Sequence, residues 1–205
     1  MQQFPFPTEG LKEDEIELFN DIHTQLRSFC DARFVEGLTI GFDARNFECL
    51  GGYDNFSLYQ VIQLSDNAYL TIVDVSYSSN TGKSMRHHVN EFEAWGIAVL
   101  QNDFGHAFIK QEGLKEKLLD LFRSVELDIP EDHRFSKEFY VLAKDKEKAI
   151  RSLTPAFRET LLNAGLKDFA LEIHQNILLV GNNTYLRVED AESFAKFVLA
   201  VSALR

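Results

Sequence analysis

Apolar residues near the start of the chain recur at steps of three and four positions: Ile16, Phe19, Ile22, Leu26, Phe29 and Cys30. This spacing places them on one stripe of an amphipathic helix, so we predict a long first helix within residues 8–34. Acidic residues crowd its first turns, where the helix dipole favours negative charge. We therefore interpret the following residues as a solvated helix start and not as a metal site: Glu9, Glu13, Asp14, Glu15 and Glu17.

Between residues 37 and 101 the pattern changes to β-branched and aromatic segments separated by turn residues. The segments are LTIGF, FECLGGYDN, FSLYQVIQLSDN, AYLTIVDVSY and AWGIAVLQ, and their composition predicts strands. Gly51-Gly52, Asp66-Asn67 and Asn80-Thr81-Gly82 stand where hairpin turns are needed. Since Gly and Asn tolerate the positive φ of such turns, we expect an antiparallel meander.

The second half of the chain predicts both helices and strands. A helix is expected over residues 114–122, followed by the charged connector PEDHR at residues 130–134 and a strand over residues 139–143. Thr154 and Pro155 suit the cap and first position of a further helix that ends near Gly165. Two strands (169–174 and 177–180), joined by the turn Gln175-Asn176, and a helix over 189–204 complete the prediction.

These elements predict an α+β fold with one or more antiparallel sheets, a long N-terminal helix and helices packed on one face. A chain of 205 residues can bury about 70% of its unfolded surface. We expect a single domain over residues 1–205. The alternative is two lobes, with a helix, a β-meander and a helix in residues 1–129 and a β-α-β-β-α unit in residues 130–205.

The charge of the chain bears on its partners. Acidic residues outnumber basic ones 32 to 21, a formal charge of −11, so the average field repels the phosphates of nucleic acids and anionic lipids. We therefore predict no nucleic-acid partner. The concentrated basic patch is small and consists of Lys83, Arg86, His87 and His88.

Composition also predicts a location. The first ten residues, MQQFPFPTEG, lack the basic start and apolar run of a signal peptide. No apolar run approaches the roughly 20 residues that cross a bilayer. We predict a cytoplasmic chain without a membrane span, in which Cys30 and Cys49 are free thiols.

The stretch SYSSNTGKSMRHH, residues 76–88, resembles the end of a phosphate-binding loop. Such a loop requires G-x-x-x-x-G-K-[ST], so that backbone N–H groups surround the phosphates at a helix start. The first glycine of the pattern falls on Tyr77, and a strand is predicted after Ser84. We interpret the stretch as a hairpin tip and predict no nucleotide and no other cofactor.

Metal ligands do not occur at recognisable spacing. His87 and His88 are adjacent, and adjacent residues of a strand point to opposite faces, so the pair does not predict a metal site. His106 and His174 lie among apolar residues. We expect them to be core or edge histidines.

The search for catalytic residues gives none. There is no G-x-S-x-G sequence, and Cys30 and Cys49 have no His or Asn at a known spacing. Four acidic residues could meet as a carboxylate pair after folding, with surface solvation as the alternative: Asp43, Asp74, Asp103 and Glu91.

Two spaced patterns resemble an uncharacterised bacterial domain family whose members often carry the domain behind membrane-spanning helices. The first is D-x-x-Y-x(4)-G-K, from Asp74 to Lys83, and the second is F-x(3)-F-x-V-x(3)-D-x(3)-A-x(3)-L-T-P, from Phe135 to Pro155. The resemblance implies a fold and no reaction, and this chain lacks the membrane helices. We expect core positions and a turn or cap in the second pattern, with Phe135, Phe139, Val141, Ala149 and Leu153 in the core and with Asp145 and Thr154-Pro155 as turn and cap.

Two hypotheses for function follow. The first is a non-catalytic binding or scaffold domain, whose hairpin at residues 76–88 contacts a protein or a small anionic ligand. Its binding residues are Lys83, Arg86, His87, His88 and Trp95. The alternative is a hydrolase that uses Asp, Glu and His in a cleft beside the sheet. An open tip favours binding, whereas a deep pocket with convergent acids and histidines favours chemistry.

Overall fold

A computed structural model describes residues 4–80, 86–111, 125–127 and 129–204 of the chain. The helices are α1 (Glu13–Arg27), α2 (His133–Glu138), α3 (Lys146–Ser152), α4 (Pro155–Asn163) and α5 (Val188–Ser202). The strands are β1 (Arg33–Val35), β2 (Asn55–Ser65), β3 (Ala68–Asn80), β4 (Arg86–Val99), β5 (His106–Gln111), β6 (Val125–Leu127), β7 (Phe139–Ala143), β8 (Ala170–His174) and β9 (Ile177–Gly181).

The described strands form one nine-stranded antiparallel sheet in the order β1-β2-β3-β4-β9-β8-β5-β7-β6. This arrangement confirms the predicted α+β class with an N-terminal helix. Strands from residues 1–129 and strands from residues 130–205 are mixed within this one sheet. β9 pairs with β4, and β5 lies between β8 and β7.

The two faces of the sheet are covered differently. The main core contains buried residues from all five helices, such as Phe19 of α1 and Phe194 of α5, against sheet residues such as Ile72. The opposite face is covered by residues 38–53, which we call the cover segment. Phe47 and Leu50 of the cover segment pack on a cluster of sheet residues: Val61, Tyr69, Val73, Val75, Trp95, Ile97 and Leu179.

The first helix is shorter than predicted. It ends at Arg27, where the Ser28 hydroxyl donates to the Gln25 carbonyl and the backbone leaves the helix. Residues 33–35 form β1 instead, because they pair with residues 61–63 of β2. No helix among the described residues combines the length and the apolar character needed to cross a bilayer.

The prediction of strands for LTIGF and FECLGGYDN is wrong. Residues 38–42 and 47–53 belong to the cover segment, which contains two short 3-10 helices, Ala44–Asn46 and Glu48–Leu50. Within these two stretches a strand begins only at the last residue, Asn55 of β2. Gly51-Gly52 follows the second of them and is not a hairpin turn. The aromatic and β-branched residues of this segment pack on a sheet face without pairing as a strand, so its composition resembles that of a strand. The turn predicted at Asp66-Asn67 is confirmed between β2 and β3.

The second half agrees closely with its predictions. Thr154 caps α4 by accepting from the Phe157 N–H, Pro155 is the first helical residue, and Gly165 follows with φ +64°. The strand over residues 139–143 and the turn Gln175-Asn176 are also confirmed.

The helix predicted over residues 114–122 and most of the turn Asn80-Thr81-Gly82 lie outside the described residues. The elements β5, α2 and α3 were not predicted.

The structural roles expected for the second spaced pattern are confirmed. Asp145 caps α3 by accepting from the Lys148 N–H. The five expected core residues are all buried in the main core: Phe135, Phe139, Val141, Ala149 and Leu153.

Candidate functional site

The β3–β4 hairpin carries four of the five predicted binding residues, Arg86, His87, His88 and Trp95. In its register Asn80 pairs with Arg86, Ser79 with His87 and Ser78 with His88. Lys83 lies outside the described residues. The hairpin therefore places three of the five predicted binding positions at one end of the sheet.

The end of this hairpin extends past its neighbours. The first residue of β2, Asn55, pairs with Ser76, and β9 pairs with β4 only from Trp95 onwards. The four pairs from Tyr77–Val89 to Asn80–Arg86 lie beyond both, so among the described strands they pair only with each other. A two-stranded ribbon therefore projects from the sheet.

Trp95 occupies a different environment from the other predicted binding residues. Its side chain is 0% exposed, and its indole Nε1 donates to Glu93 Oε2 at 2.9 Å. The residue packs in the cluster under the cover segment. Trp95 therefore contributes no accessible surface at the ribbon.

Glu93 is a buried acid that the sequence analysis did not single out. Its side chain is 0% exposed, and Oε2 also accepts from the Tyr53 hydroxyl at 2.5 Å. Oε1 has no hydrogen-bond partner among the described residues. Burial raises the pKa of Glu93 to about 7, although the bonds from Tyr53 and Trp95 lower it.

Glu172 is a second buried acid on the same sheet face, also 0% exposed. It accepts from the backbone N–H groups of Glu48 and Cys49 at 2.9 and 2.8 Å and from His106 Nε2 at 2.5 Å. Burial raises the pKa of Glu172, but the bond from His106 and those from the backbone more than offset this, so the pKa is lowered.

Glu93 and Glu172 both accept hydrogen bonds from the cover segment on the sheet side of that segment. Glu172 holds the start of the second 3-10 helix of the cover segment, and Glu93 holds Tyr53 at its end. Cys49 lies beside Glu172, and burial, followed by the charge of Glu172, raises the pKa of its thiol well above the usual range. A protonated thiol is a poor nucleophile, and the contacts of the two acids anchor the cover segment to the sheet.

His106 and His174 lie beside each other with ring centroids 5.3 Å apart. His106 is buried against Glu172 and His174 is half-buried, which agrees with the expectation of core or edge histidines. Both cysteines are free thiols, as predicted.

Two of the four candidate acids pair with cations. Asp43 bonds Arg45, and Asp103 bonds Lys148. Asp74 and Glu91 lie on the neighbouring strands β3 and β4, and both line one surface cavity together with Asp14 and Glu15 of α1. The described residues contain no group of three or more His, Cys, Asp or Glu side chains that could hold a metal ion.

Three surface cavities of similar size occur on the described part of the chain. A cavity of about 530 Å³ lies between α4 and α5, and one of about 520 Å³ lies at the start of α5 beside Lys167 and Asn182. The third, of about 480 Å³, lies between the start of α1 and β4. Neither Glu93 nor Glu172 lines any of the three.

The sequence did contain a signal for the two buried acids. Glu172 stands between Leu171 and Ile173, and Glu93 stands two residues before Trp95 in a strand that continues as an apolar run. A charged residue on a strand whose other positions are apolar on both faces is a candidate for a paired, buried group. Trp95 is two positions from Glu93, but Tyr53, His106 and Glu48 lie 40, 66 and 124 positions from the acids they bond and could not be identified from spacing.

The chain matches no protein-family model, no curated protein and no solved structure.

Proposed function

We propose that this chain is a non-catalytic binding domain that contacts a protein or a small anionic ligand through the ribbon at the end of the β3–β4 hairpin. The observation that carries the proposal is the register of the ribbon: four residue pairs project beyond β2 and β9. A projecting ribbon offers backbone and side-chain groups to a partner without a cleft.

The charge of this region supports the proposal. Lys83, Arg86, His87 and His88 follow closely on one another in a chain whose formal charge is −11. A basic hairpin end on an acidic protein favours an acidic protein surface or a small anion as its binding partner, since complementary charge steers association. The average charge disfavours nucleic acid. The proposed location is the bacterial cytoplasm.

The buried acids support binding over the hydrolase alternative. Glu93 and Glu172 are 0% exposed, and the cover segment lies between them and solvent. A substrate could reach these carboxylates only after displacement of that segment. A hydrolytic cleft needs acids and histidines that converge on an accessible pocket. The accessible cavity between the start of α1 and β4 gathers acids, such as Asp74 and Glu91, but no histidine is among its described lining residues.

The test is affinity capture from the native cytoplasm with a shortened ribbon. In this variant residues 79–87 are replaced by Asn-Gly, which closes a two-residue hairpin turn. We expect wild-type melting behaviour and loss of the captured partner. Capture of the same partner at the same yield by the shortened variant would count against the proposal.

A pair of double variants isolates the charge. The variant Lys83→Gln, Arg86→Gln should weaken capture, whereas Lys137→Gln, Lys146→Gln should not. Both pairs remove two positive charges, and Lys137 and Lys146 are exposed residues away from the ribbon. Equal weakening by both pairs would show a dependence on net charge alone, which contradicts a specific contact at the ribbon.

A further inference from the structure

Glu93 joins the cover segment to the sheet at a site closed to water. Its carboxylate receives the Tyr53 hydroxyl from the cover segment and the Trp95 indole N–H from its own strand. Glu93 Oε1 has no partner among the described residues. A charged carboxylate in such a position lacks the solvation that water would give it.

The titratable groups around Glu93 come from three elements. Glu91 lies on the same strand, Tyr53 and Cys49 lie on the cover segment, and Tyr77 of β3 bonds Glu91. None of these groups is a cation, and although the bonds from Tyr53 and Trp95 favour the ionised carboxylate, burial outweighs them. Burial raises the pKa values of Tyr53 and Cys49, which keeps both groups protonated in neutral solution.

The residues next to Glu93 on the same face of the sheet are buried. Val73, which is fully buried, is the register partner of Glu93 on β3, and Gly181 of β9 faces the neighbouring Trp95. Tyr53 is only half-buried. Tyr53 lies at the exposed side of this contact, so a movement of Tyr53 and the end of the cover segment would expose Glu93 to water.

We propose that Glu93 is a proton-controlled latch, whose protonated carboxyl group keeps the cover segment docked on the sheet and whose ionisation releases the end of that segment at Tyr53. The second anchor, at Glu172, accepts two backbone N–H groups of the cover segment and a bond from His106. The Glu172 anchor holds the middle of the cover segment while the end of the segment at Tyr53 opens.

The direction of the effect follows from linkage. Burial moves the pKa of Glu93 from 4.5 to about 7 in the docked state, and exposure to water returns it towards 4.5. The docked state therefore binds the proton more tightly, and docking weakens as the pH rises from about 4.5 to about 7. This difference in pKa sets an upper limit of about 300-fold on the rise in the open population.

Site-resolved amide hydrogen exchange tests the latch. The Tyr53 N–H, which bonds the Leu50 carbonyl, reports on the end of the cover segment, and the Ile173 N–H of central strand β8 is the reference. Intrinsic exchange rates are divided out at each pH. Between about pH 5 and about pH 8.5 the opening constant at Tyr53 should rise at least tenfold. At the higher pH it should exceed the opening constant at Ile173.

Three variants separate the latch from other causes. Glu93→Gln should remove the pH dependence at Tyr53. Glu91→Gln should move its midpoint to lower pH, because the charge of Glu91 raises the pKa of Glu93. Glu48→Gln, an acid of the cover segment that pairs with Lys144, should keep the wild-type response.

In the wild type, either of two results overturns the proposal. One is an opening constant at Tyr53 that does not change with pH in the wild type. The other is equal opening constants at Tyr53 and Ile173 at both pH values, which would mean that exchange occurs by global unfolding. If Glu93→Gln does not fold, the midpoint of Glu91→Gln decides, and an unchanged midpoint contradicts the latch.

Discussion

The indole of Trp95 lies against the backbone of Gly181, its register partner on the neighbouring strand. A Cβ atom built on Gly181 would stand 2.3 Å from Trp95 Cδ2 and 2.5 Å from Cε3. Trp95 is fully buried, so the ring has no free space into which it could move. The absence of a side chain at Gly181 therefore lets the largest residue of this core face occupy its position.

Gly181→Ala should destabilise the protein by about 1–3 kcal/mol, because the added methyl group overpacks a filled site. Urea unfolding followed by circular dichroism measures the change. Gly52→Ala is the matched control, since a Cβ there meets nothing within 4 Å, and it should change the free energy of unfolding by less than about 1 kcal/mol. Equal effects of the two substitutions would mean that Trp95 does not restrict Gly181.

Glu172→Gln should destabilise the protein by about 3 kcal/mol near neutral pH, because the buried network loses its charge and an NH2 donor replaces one of the two acceptor oxygens. The lowered pKa of Glu172 means that its contribution is present above 4.5 and is lost as the pH falls through the folded-state pKa. The difference between wild type and variant should therefore shrink in acid. Urea unfolding near pH 7 and near pH 4 measures it. Glu159→Gln, at an exposed position of α4, is the control and should change the free energy of unfolding by less than about 0.5 kcal/mol.

His23 should give an acid-dependent loss of stability. It is 1% exposed, its Nε2 bonds Gln60 Oε1 at 3.1 Å, and burial lowers its pKa despite that bond. Since the folded state binds this proton less tightly, the contribution is present above 6.5 and is lost as the pH falls below it. His23→Phe should make the free energy of unfolding depend less on pH between about pH 6.5 and about pH 5. The control is His133→Gln, at an exposed position, which should keep the wild-type dependence of the free energy of unfolding on pH. Loss of that dependence in His133→Gln and not in His23→Phe would contradict the role given to His23.

Thr154→Ala should cost about 1 kcal/mol, because the Thr154 Oγ1 acceptor satisfies the Phe157 N–H at the start of α4. Thr160→Ala on the same helix is the control. The Thr160 hydroxyl donates to the Ala156 carbonyl on an exposed face and caps no helix end. Its removal should change stability by less than about 0.5 kcal/mol in thermal or urea unfolding. A larger loss from Thr160→Ala than from Thr154→Ala would refute the cap as the stabilising contact.

The sequence predicted those elements whose stabilising contacts join residues that are close together in the chain. The cap at Thr154-Pro155, the turn at Gln175-Asn176 and the apolar stripe of α1 each arise from residues within a few positions of one another. For the same reason the end of α1 was misplaced, since β1 exists only through its pairing with residues 61–63 of β2.

The cover segment and its anchors could not be predicted in this way. Phe47 and Leu50 suit a strand by composition, but the segment packs on a sheet face whose strands come from distant parts of the chain. Glu93 and Glu172 owe their environments to partners such as Tyr53 and Glu48, at separations that no motif records. Of the predicted site, only the location of Arg86, His87 and His88 on one hairpin followed from sequence.

The order of strands in the sheet constrains how the chain can fold. β4 and β5 are consecutive in sequence, yet the hairpin of β8 and β9 lies between them. The part of the sheet built on β4 and the part built on β5 therefore cannot join until residues 170–181 are present. Long loops must close before these contacts form, which places the structure among slowly folding topologies. During synthesis on a ribosome, β4 and β5 leave the exit tunnel before the hairpin that joins them, and they need protection from wrong pairing in that interval.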